Sequence, residues 1–321
     1  MRAIGGYFEL EVQKGQHYHD HAVRLNTARN CFEYILRVRN YRKVYVPYYT
    51  CEVILEPIRK LGLDYEFYRI DKQLEPVILP DLKRDEAFLY TNYFGLKQGG
   101  AERLSSCYGQ QLIVDNAQAF YDMPIGNIDT FYSARKFFGV ADGAYLYTDK
   151  SLSQSFERDC SFQRMSHLLK RLDLGAEEGY QDFRDNDDSL VGQEIKQMST
   201  VTDVLLSGID YDGGKRKRRE NYQYLDCELR ESNRMQLVLD DNAVPMVYPF
   251  LTDDSSLKKK LIDNCIYVAT YWPNVFKWCQ YGDWEYELAD KTVFLPIDQR
   301  YGYSDMDRII ETIHSCFLLS R

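Results

Sequence analysis

Residues 110–120 read QQLIVDNAQAF, a short apolar run that ends at the carboxylate of Asp115. A run of this length without polar alternation is typical of a strand buried on both faces, as strands are in a parallel sheet. Ligands of α/β sheets bind at the carboxyl ends of such strands. Because a buried carboxylate needs a cationic partner, the stretch predicts an α/β fold with a binding site beside Asp115.

Helix-like and strand-like segments alternate on both sides of this stretch. Residues 22–40 (AVRLNTARNCFEYILRVRN) have the spacing of an amphipathic helix, and residues 43–50 (KVYVPYYT) are β-branched and aromatic. The alternation continues with a helix in EVILEPIRKLG, a strand in YEFYRI, a strand and turn in EAFLYTNYFG, and a loop from FYSARKFF to the strand AYLYTD. We therefore predict a mostly parallel sheet flanked by helices.

The second half of the chain predicts a smaller unit. Residues 150–200 are polar and indicate helices and loops, whereas VPMVYPFL, IYVATYW, VFLPIDQRY and a final helix indicate an α+β arrangement. A chain of 321 residues is also long for a single core. We predict a large α/β domain over residues 1–215 and a small C-terminal α+β domain over residues 216–321.

Composition argues against several classes of protein. The formal net charge of -9 disfavours binding to nucleic acid or to an anionic membrane, because both reward a basic surface. The eight cysteines include no C-x-x-C pair, which excludes the usual zinc-ribbon spacing and gives no disulfide framework. No segment has the pattern of a signal peptide or a membrane span, so we expect a protein of the reducing cytoplasm.

Two motifs of ionisable side chains have ordinary explanations. His17, His19 and His21 alternate in HYHDH, but no cluster of carboxylates or cysteines completes a coordination set, so we predict no metal. The basic run from Lys215 to Arg219 precedes ENYQYLDCEL and is interpreted as the solvated start of a helix. Glycine-rich nucleotide loops and the G-x-S-x-G motif of hydrolases are absent from the sequence.

Lys136 lies in YSARKFFGVADGAYLYT (residues 132–148), among apolar side chains and glycines. Burial lowers the pKa of a lysine, and a neutral amine is a nucleophile. The alternative is a lysine that reaches solvent from a half-buried loop and has no chemical role. The choice between the two depends on the rest of the sequence.

Asp115 and Lys136 together predict a site for pyridoxal phosphate (PLP). This cofactor needs an aspartate beside its protonated pyridine nitrogen and a lysine that binds it covalently. Its phosphate also needs a site, and the amino terminus of a helix presents free N–H groups to anions. Thr27, Ala28 and Arg29 lie where the amphipathic helix of NTARNCFEYIL begins, and they are the candidates for that role.

Five segments in order resemble the DegT/DnrJ/EryC1/StrS family of PLP-dependent sugar aminotransferases, which have fold type I. The phosphate turn of the family resembles NTARNCF, and its Pro-x-Phe-Thr-aromatic segment resembles PYYTC at residues 47–51. Its Asp-x-Ala-Gln resembles DNAQ at residues 115–118, and its lysine loop resembles residues 132–143. FLPIDQRYGYSDMDRIIETI is similar to the Leu-Pro-Ile segment and last helix of the family.

The resemblance implies a role for each matching residue. Lys136 is the catalytic lysine, Asp115 lies beside the pyridine nitrogen, and Gln118 contacts the 3-oxygen of the ring or packs beneath it. The implied phosphate ligands are Thr27, Ala28, Arg29 and Ser133. Tyr49 and Cys51 lie in the segment that supplies the ring-stacking aromatic in the family.

The chain departs from the family pattern at several of these positions. Ala28 and Arg29 replace the usual glycine and threonine of the phosphate turn. Phe131 replaces the serine five residues before the lysine, and we expect Ser133 to reach the phosphate instead. Cys51 replaces the stacking aromatic, which leaves Tyr49 or another tyrosine to cover the ring. IKQMS at residues 195–199 replaces Asn-Tyr-Arg-Met-Ser, a segment that reaches the partner subunit in the family.

The activity implied by the resemblance is transfer of an amino group from an amino acid to a keto sugar, in glycan or polysaccharide precursor synthesis. The sugar is expected to be nucleotide-linked, and the working unit is expected to be a homodimer. An alternative is a fold-type-I protein that binds PLP without turnover and acts as a binding or assembly partner. Sugar dehydration is disfavoured by Lys136, since dehydratases of the family have histidine there. In the remaining alternative, Lys136 and Asp115 are structural.

Overall fold

The computed structural model describes residues 4–318, and a seven-stranded sheet is the centre of its fold. Its strands are β1 (Val23–Leu25), β2 (Lys43–Pro47), β3 (Asp64–Tyr68), β4 (Glu86–Thr91), β5 (Leu112–Asn116), β6 (Asp129–Ser133) and β7 (Ala144–Tyr147). Their order is β1-β7-β6-β5-β4-β2-β3. Strands β2 to β6 are parallel, and β7 is antiparallel to both β6 and β1. The predicted α/β fold with a mostly parallel sheet is confirmed.

Helices cover the sheet and fill the C-terminal region. They are α1 (Ala28–Arg39), α2 (Leu55–Lys60), α3 (Gln98–Tyr108), α4 (Ser166–Asp173), α5 (Tyr180–Ser189), α6 (Thr200–Ser207), α7 (Tyr211–Leu229), α8 (Leu257–Asp263), α9 (Val275–Trp278), α10 (Trp284–Lys291) and α11 (Tyr303–Leu318). A second, antiparallel sheet is formed by β8 (Val247–Leu251) and β9 (Thr292–Pro296). None of the helices described between residues 4 and 318 has the length and apolar character needed to cross a membrane.

The helix predicted for residues 22–40 begins later than expected. Val23–Leu25 form the edge strand β1, and the helix starts at Ala28. A three-residue strand is too short to show alternation, so the pattern of the following helix hides it. Thr27 separates the two elements as the N-cap of α1, where its Oγ1 accepts a hydrogen bond from the N–H of Asn30 at 3.2 Å.

The two faces of the large sheet pack into separate buried clusters, because side chains alternate along each strand. One face packs against α1 and α2. Its buried strand residues include Val46, Leu89, Ile113, Phe131 and Leu146. The opposite face continues into the C-terminal region. Its buried strand residues include Phe88, Tyr90, Val114, Tyr132 and Tyr145.

The C-terminal region combines β8 and β9 with helices, as the α+β pattern predicts. IYVATYW, at residues 266–272, forms neither strand nor helix. The predicted domain boundary at residue 215 lies inside α7, and the division into two domains stays a prediction. Side chains join this region to the edge of the large sheet, where Asn274 Nδ2 donates to the carbonyl of Thr50 at 2.9 Å.

The basic run in α7 is not a solvated helix start, which corrects the interpretation of its sequence. The helix begins at Tyr211, so the run occupies its second turn. Arg216 is exposed, but Arg218 is only 1% exposed and is among the largest fully buried side chains. A helix turns by 100° per residue, so neighbouring residues of one charged run face both solvent and core.

Candidate active site

The predicted site residues follow the carboxyl ends of parallel strands and therefore lie along one edge of the sheet. Thr27 follows β1, and Tyr49 and Cys51 follow β2. Asp115 is the second-last residue of β5. Ser133 ends β6, and Lys136 ends the 3-10 turn Ala134–Lys136 that comes directly after it. β1 has the same direction as β6 because both are antiparallel to β7.

Asp115 is a buried carboxylate with few partners. It pairs across the sheet with Thr91 on β4 and Phe131 on β6, and the residue as a whole is 8% exposed. Its Oδ1 accepts a hydrogen bond from the N–H of Ala117 at 2.8 Å. Burial raises the pKa of Asp115, while the positive charge of nearby Lys136 opposes that rise. A cation placed beside Asp115 would therefore stabilise the ionised carboxylate.

Lys136 is exposed, although the residues that follow it are buried. Phe137 and Phe138 are 4% and 6% exposed, whereas Lys136 between the buried residues Ala134 and Phe137 is exposed. Of the two interpretations of its apolar surroundings, burial of Lys136 does not hold for the single chain, because adjacent residues in a tight turn face different directions. Its amine forms no hydrogen bond or salt bridge with any residue between 4 and 318.

A buried carboxylate that the sequence patterns missed anchors the far end of the lysine loop. Asp142 accepts hydrogen bonds from the N–H of Ser199 at 2.8 Å, from its Oγ at 2.7 Å, and from Oγ1 of Thr202. Ser199 is the N-cap of α6, so the negative charge lies at a helix amino terminus, where it is stabilised. Gly143 follows with φ of 110°, and a side chain there would collide with Thr202. The loop is thus fixed onto α6.

The start of α1 provides donors suited to an anion. The N–H groups of Ala28 and Arg29 belong to the first helical turn, which has no partners within the helix. The side chain of Arg29 is already engaged, since its Nη1 donates to Glu56 at 2.6 Å and to the carbonyl of Leu190 at 3.1 Å. Arg29 can therefore contribute its main-chain N–H, while its guanidinium is held by Glu56.

Ser133 lies on the same face of the sheet as Asp115. Phe131 pairs directly with Asp115, and Ser133 is two residues further along β6. Since strand residues alternate between faces, a spacing of two keeps Ser133 on the α1 side of the sheet. Its predicted role as a replacement for the serine missing at Phe131 stays a prediction.

Gln118 supports a strained turn. Its Oε1 accepts a hydrogen bond from the N–H of Phe94 at 3.3 Å, and Phe94 has φ of 60°, which is unfavourable for a bulky residue. Its amide nitrogen forms no hydrogen bond with a residue of the described part of the chain. The proposed contact of Gln118 with a cofactor ring stays a prediction.

Tyr49 and Cys51 have different environments. Tyr49 is fully buried, with its ring 4.7 Å from that of Trp272 and 5.6 Å from that of Tyr93. Cys51 is half-buried and precedes the 3-10 turn Glu52–Ile54. The packing of Tyr49 leaves little free ring surface, so its stacking on a cofactor stays a prediction without direct support.

The segment expected to reach a partner subunit is bound to its own chain. The N–H of Asn26 donates to the carbonyl of Lys196 at 2.9 Å, and the N–H of Lys196 donates to Oδ1 of Asn26 at 3.2 Å. The amine of Lys196 lies 3.7 Å from Oδ1 of Asp159. The segment therefore lies beside the start of α1 in the same chain, and any contact with a partner stays a prediction.

Two of the three histidines of HYHDH, His17 and His19, pack against the sheet, whereas His21 is exposed. His19 Nε2 donates to the carbonyl of Phe120 at 2.7 Å, and its Nδ1 lies 3.2 Å from the hydroxyl of Tyr147. Burial lowers the pKa of His19 to about 4, so the ring is neutral at pH 7. His17 contacts the hydroxyl of Tyr145 at 2.6 Å. Over residues 4–318, no group of three or more metal-ligating side chains lies together.

A cavity of about 440 Å³ lies away from the predicted site. It is bordered by residues of β1 and of the segments 154–158 and 197–198. None of the predicted site residues lines it.

Asp122 should make the stability of the protein depend on pH. It is buried beside Asn92, whose Nδ2 donates to it at 2.7 Å, and burial raises its pKa to about 7. Between pH 4 and this value the folded state keeps a proton that the unfolded state releases, so the free energy of unfolding falls as pH rises. Asp122→Asn should remove that loss and stabilise the protein at pH 8 by at least about 1 kcal/mol.

Urea unfolding at pH 4.5 and pH 8 would measure this difference. The control is Asp212→Asn on the exposed start of α7. Equal stability of Asp122→Asn and the unchanged protein at pH 8 would show that Asp122 ionises without cost.

Comparison with solved structures finds this fold in aminotransferases. The aminotransferase TlmJ from Streptoalloteichus hindustanus has a TM-score of 0.66 at 16% identity, covering 94% of this chain and 86% of that chain. A DegT DnrJ EryC1 StrS aminotransferase from Brucella abortus has a TM-score of 0.61 at 15% identity, covering 92% and 85%. The PLP form of Spr1654 from Streptococcus pneumoniae, described as a sugar aminotransferase, has a TM-score of 0.60 at 16% identity, covering 91% and 85%.

Comparisons of sequence give no further relative. No family model and no curated protein matches the chain. At 15–16% identity the structural likeness establishes the fold and leaves the chemistry to the residues of the site. The predicted resemblance is confirmed at the level of the fold, and the chain is folded like the sugar aminotransferases of the DegT/DnrJ/EryC1/StrS type.

Proposed function

We propose that the chain is a PLP-dependent aminotransferase of the DegT/DnrJ/EryC1/StrS family. One observation carries the proposal: the buried carboxylate of Asp115 and the amine of Lys136 lie at the carboxyl ends of the neighbouring parallel strands β5 and β6, at the sheet edge where α1 begins. The fold supports it, since the neighbours named above are aminotransferases.

The residues at this edge fit PLP on three grounds. Asp115 is a buried carboxylate that a protonated ring nitrogen would stabilise. Lys136 has an amine without a partner among the described residues, and the first N–H groups of α1 suit a phosphate. When bound, PLP supplies an electron sink for the carbon that loses its amino group.

Each residue then has a distinct task. Lys136 would hold the cofactor covalently and, after release by the donor amine, move a proton at the donor Cα. Asp115 would keep the pyridine nitrogen protonated through its negative charge. Ser133, Thr27 and the main chain of residues 28–29 would bind the phosphate.

The acceptor is proposed to be a keto sugar, nucleotide-linked, and the donor an amino acid such as glutamate. The names of the structural neighbours support a sugar, since CalS13 from Micromonospora echinospora and Spr1654 are described as sugar aminotransferases. Synthesis of a glycan or polysaccharide precursor in the cytoplasm is the setting in which such a product would be used.

A second candidate function is PLP binding without turnover. It is motivated by Phe131 at the usual serine position and by the ion pair of Arg29 with Glu56, which together reduce the number of side-chain phosphate ligands. An amino-transfer assay separates the two candidates.

Amino transfer can be tested in two half-reactions. The purified protein with PLP should lose its cofactor absorbance band when glutamate is added and recover it when a nucleotide-linked keto sugar is added. A protein that binds PLP but shows no change with any of the twenty amino acids would instead support the second candidate.

The working unit should be a homodimer with the site near the subunit boundary. Lys136 is exposed on the single chain, and Leu169 and Leu172 on α4 are 61% and 84% exposed, as side chains of an interface are before association. Sedimentation at micromolar concentration should give a mass twice that of one chain. A mass of one chain with full PLP occupancy would show that the site closes within a single subunit.

A further inference from the structure

Arg218 is a buried cation without an anionic partner. It is 1% exposed in the middle of α7, and no carboxylate between residues 4 and 318 forms a salt bridge with it. Asp298 is the acidic group whose charge acts on it most, but that carboxylate is bonded by Arg300 at 2.7 and 2.9 Å. Burial lowers the pKa of Arg218, which reflects the unfavourable environment of its charge.

Neutral oxygen atoms are the partners of this guanidinium. Nη1 donates to the carbonyl of Met246 at 2.9 Å, and Nε donates to Oε1 of Gln299 at 3.0 Å. Burying a charge with only neutral partners is expensive, and an apolar side chain of similar size would cost less. Stability alone therefore does not explain an arginine at this position.

The hydrogen bonds of Arg218 lead to the residue after Lys136. Because Oε1 of Gln299 accepts from Arg218, its amide nitrogen is oriented to donate to the carbonyl of Phe137, at 2.9 Å. Nη2 of Arg218 adds a longer bond to the same carbonyl at 3.4 Å, and the guanidinium lies 4.6 Å from the centre of the Phe137 ring. Both the backbone and the side chain of Phe137 are thus held by the C-terminal region.

The same arginine is linked to the turn that carries Gln118. Met246 accepts from Arg218 through its carbonyl and donates its N–H to the carbonyl of Phe94 at 2.8 Å. The N–H of Phe94 in turn donates to Oε1 of Gln118. One continuous set of hydrogen bonds therefore joins the lysine loop to the segment that begins with Asp115.

We propose that Arg218 is a positioning residue, which fixes Lys136 relative to Asp115 by holding Phe137 directly and through Gln299. The proposal rests on the function proposed above for Lys136. It does not make Arg218 a catalytic residue, because its donors are occupied by protein oxygens. It assigns the basic run of α7 a role in arranging the site.

Hydrogen exchange of the cofactor-free protein tests the proposed restraint without relying on activity. Arg218→Met should raise the exchange of amides in residues 134–140 by at least about tenfold, with little change in α1. The control is Arg39→Met, which removes a mostly buried guanidinium that, unlike Arg218, is paired with a carboxylate, Asp129, at the opposite end of β6 from the lysine loop. Arg39→Met should leave exchange in residues 134–140 unchanged.

Kinetics of the PLP-loaded variants tests the consequence for catalysis. Arg218→Met should lower kcat about 10- to 100-fold while changing KM for the amino donor less than threefold, and Arg218→Lys should recover part of kcat. Gln299→Ala, which removes the bond to Phe137 but keeps Arg218, provides the test if Arg218→Met does not fold. It should show the same pattern with smaller changes.

The two proposals fail in different ways. If the unchanged protein does not bind PLP at Lys136, the proposed function is wrong, whereas the exchange experiment still decides whether Arg218 holds the loop. If Arg218→Met or Gln299→Ala folds and leaves both exchange in residues 134–140 and kcat unchanged, Arg218 is not a positioning residue.

Discussion

Replacing Lys136 with alanine should abolish covalent attachment of PLP and lower amino transfer by at least about 1000-fold. A positioned base contributes about 100- to 10,000-fold to proton transfer, and the variant also loses the amine that holds the cofactor. The fold should be unaffected, because the Lys136 side chain is exposed and has no hydrogen-bond partner among residues 4–318. Single-turnover absorbance changes with glutamate would measure the loss.

Lys150→Ala is the matched control for this variant. Lys150 is also exposed and follows β7, at the opposite end of that strand from the lysine loop. Its replacement should change neither PLP attachment nor the rate. Amino transfer by Lys136→Ala within tenfold of the unchanged protein would contradict the catalytic role of Lys136.

Replacing Asp115 with asparagine should lower amino transfer about 100- to 1000-fold, the size of effect expected when one preorganised charge is removed from an active site. The asparagine can still accept the N–H of Ala117 but cannot keep a ring nitrogen protonated. Asp122→Asn is the control, since it neutralises another buried carboxyl close by in sequence. That control should retain full activity.

Asp115→Asn should also stabilise the protein in the absence of the cofactor. The pKa of Asp115 is raised on folding, so its ionisation above the unfolded value lowers the free energy of unfolding, and this loss grows as pH rises through the folded pKa. Asp115→Asn should therefore unfold at a higher urea concentration than the unchanged apo protein at pH 7. A variant that is less stable yet fully active would show that Asp115 is only structural.

The fold could be predicted because its central strands have strong local patterns. The run ending at Asp115 is apolar without interruption, and the structure places it as β5 in the middle of the sheet. Since parallel strands end at one edge, the order of strands and helices also predicted which loops meet there. β1 escaped prediction because three residues carry no periodic signal.

Other features of the site depend on three-dimensional contacts that the sequence does not reveal. The apolar residues around Lys136 left open whether the lysine is buried or exposed, and only the structure shows that the turn buries Phe137 and leaves Lys136 exposed. Arg218 is one of five basic residues in a row, and only its position on the inner face of α7 distinguishes it. Asp142 likewise becomes informative only when its partners on α6 are known.

The position of the cofactor on the chain can be measured directly. The unchanged protein is incubated with PLP, reduced with borohydride, digested and mapped by mass spectrometry. We expect one pyridoxyl adduct per chain, on the peptide that contains Lys136, and none in the Lys136→Ala variant. An adduct on a different lysine, or no adduct at saturating PLP, would contradict the proposal that Lys136 and Asp115 form the site of a PLP-dependent enzyme.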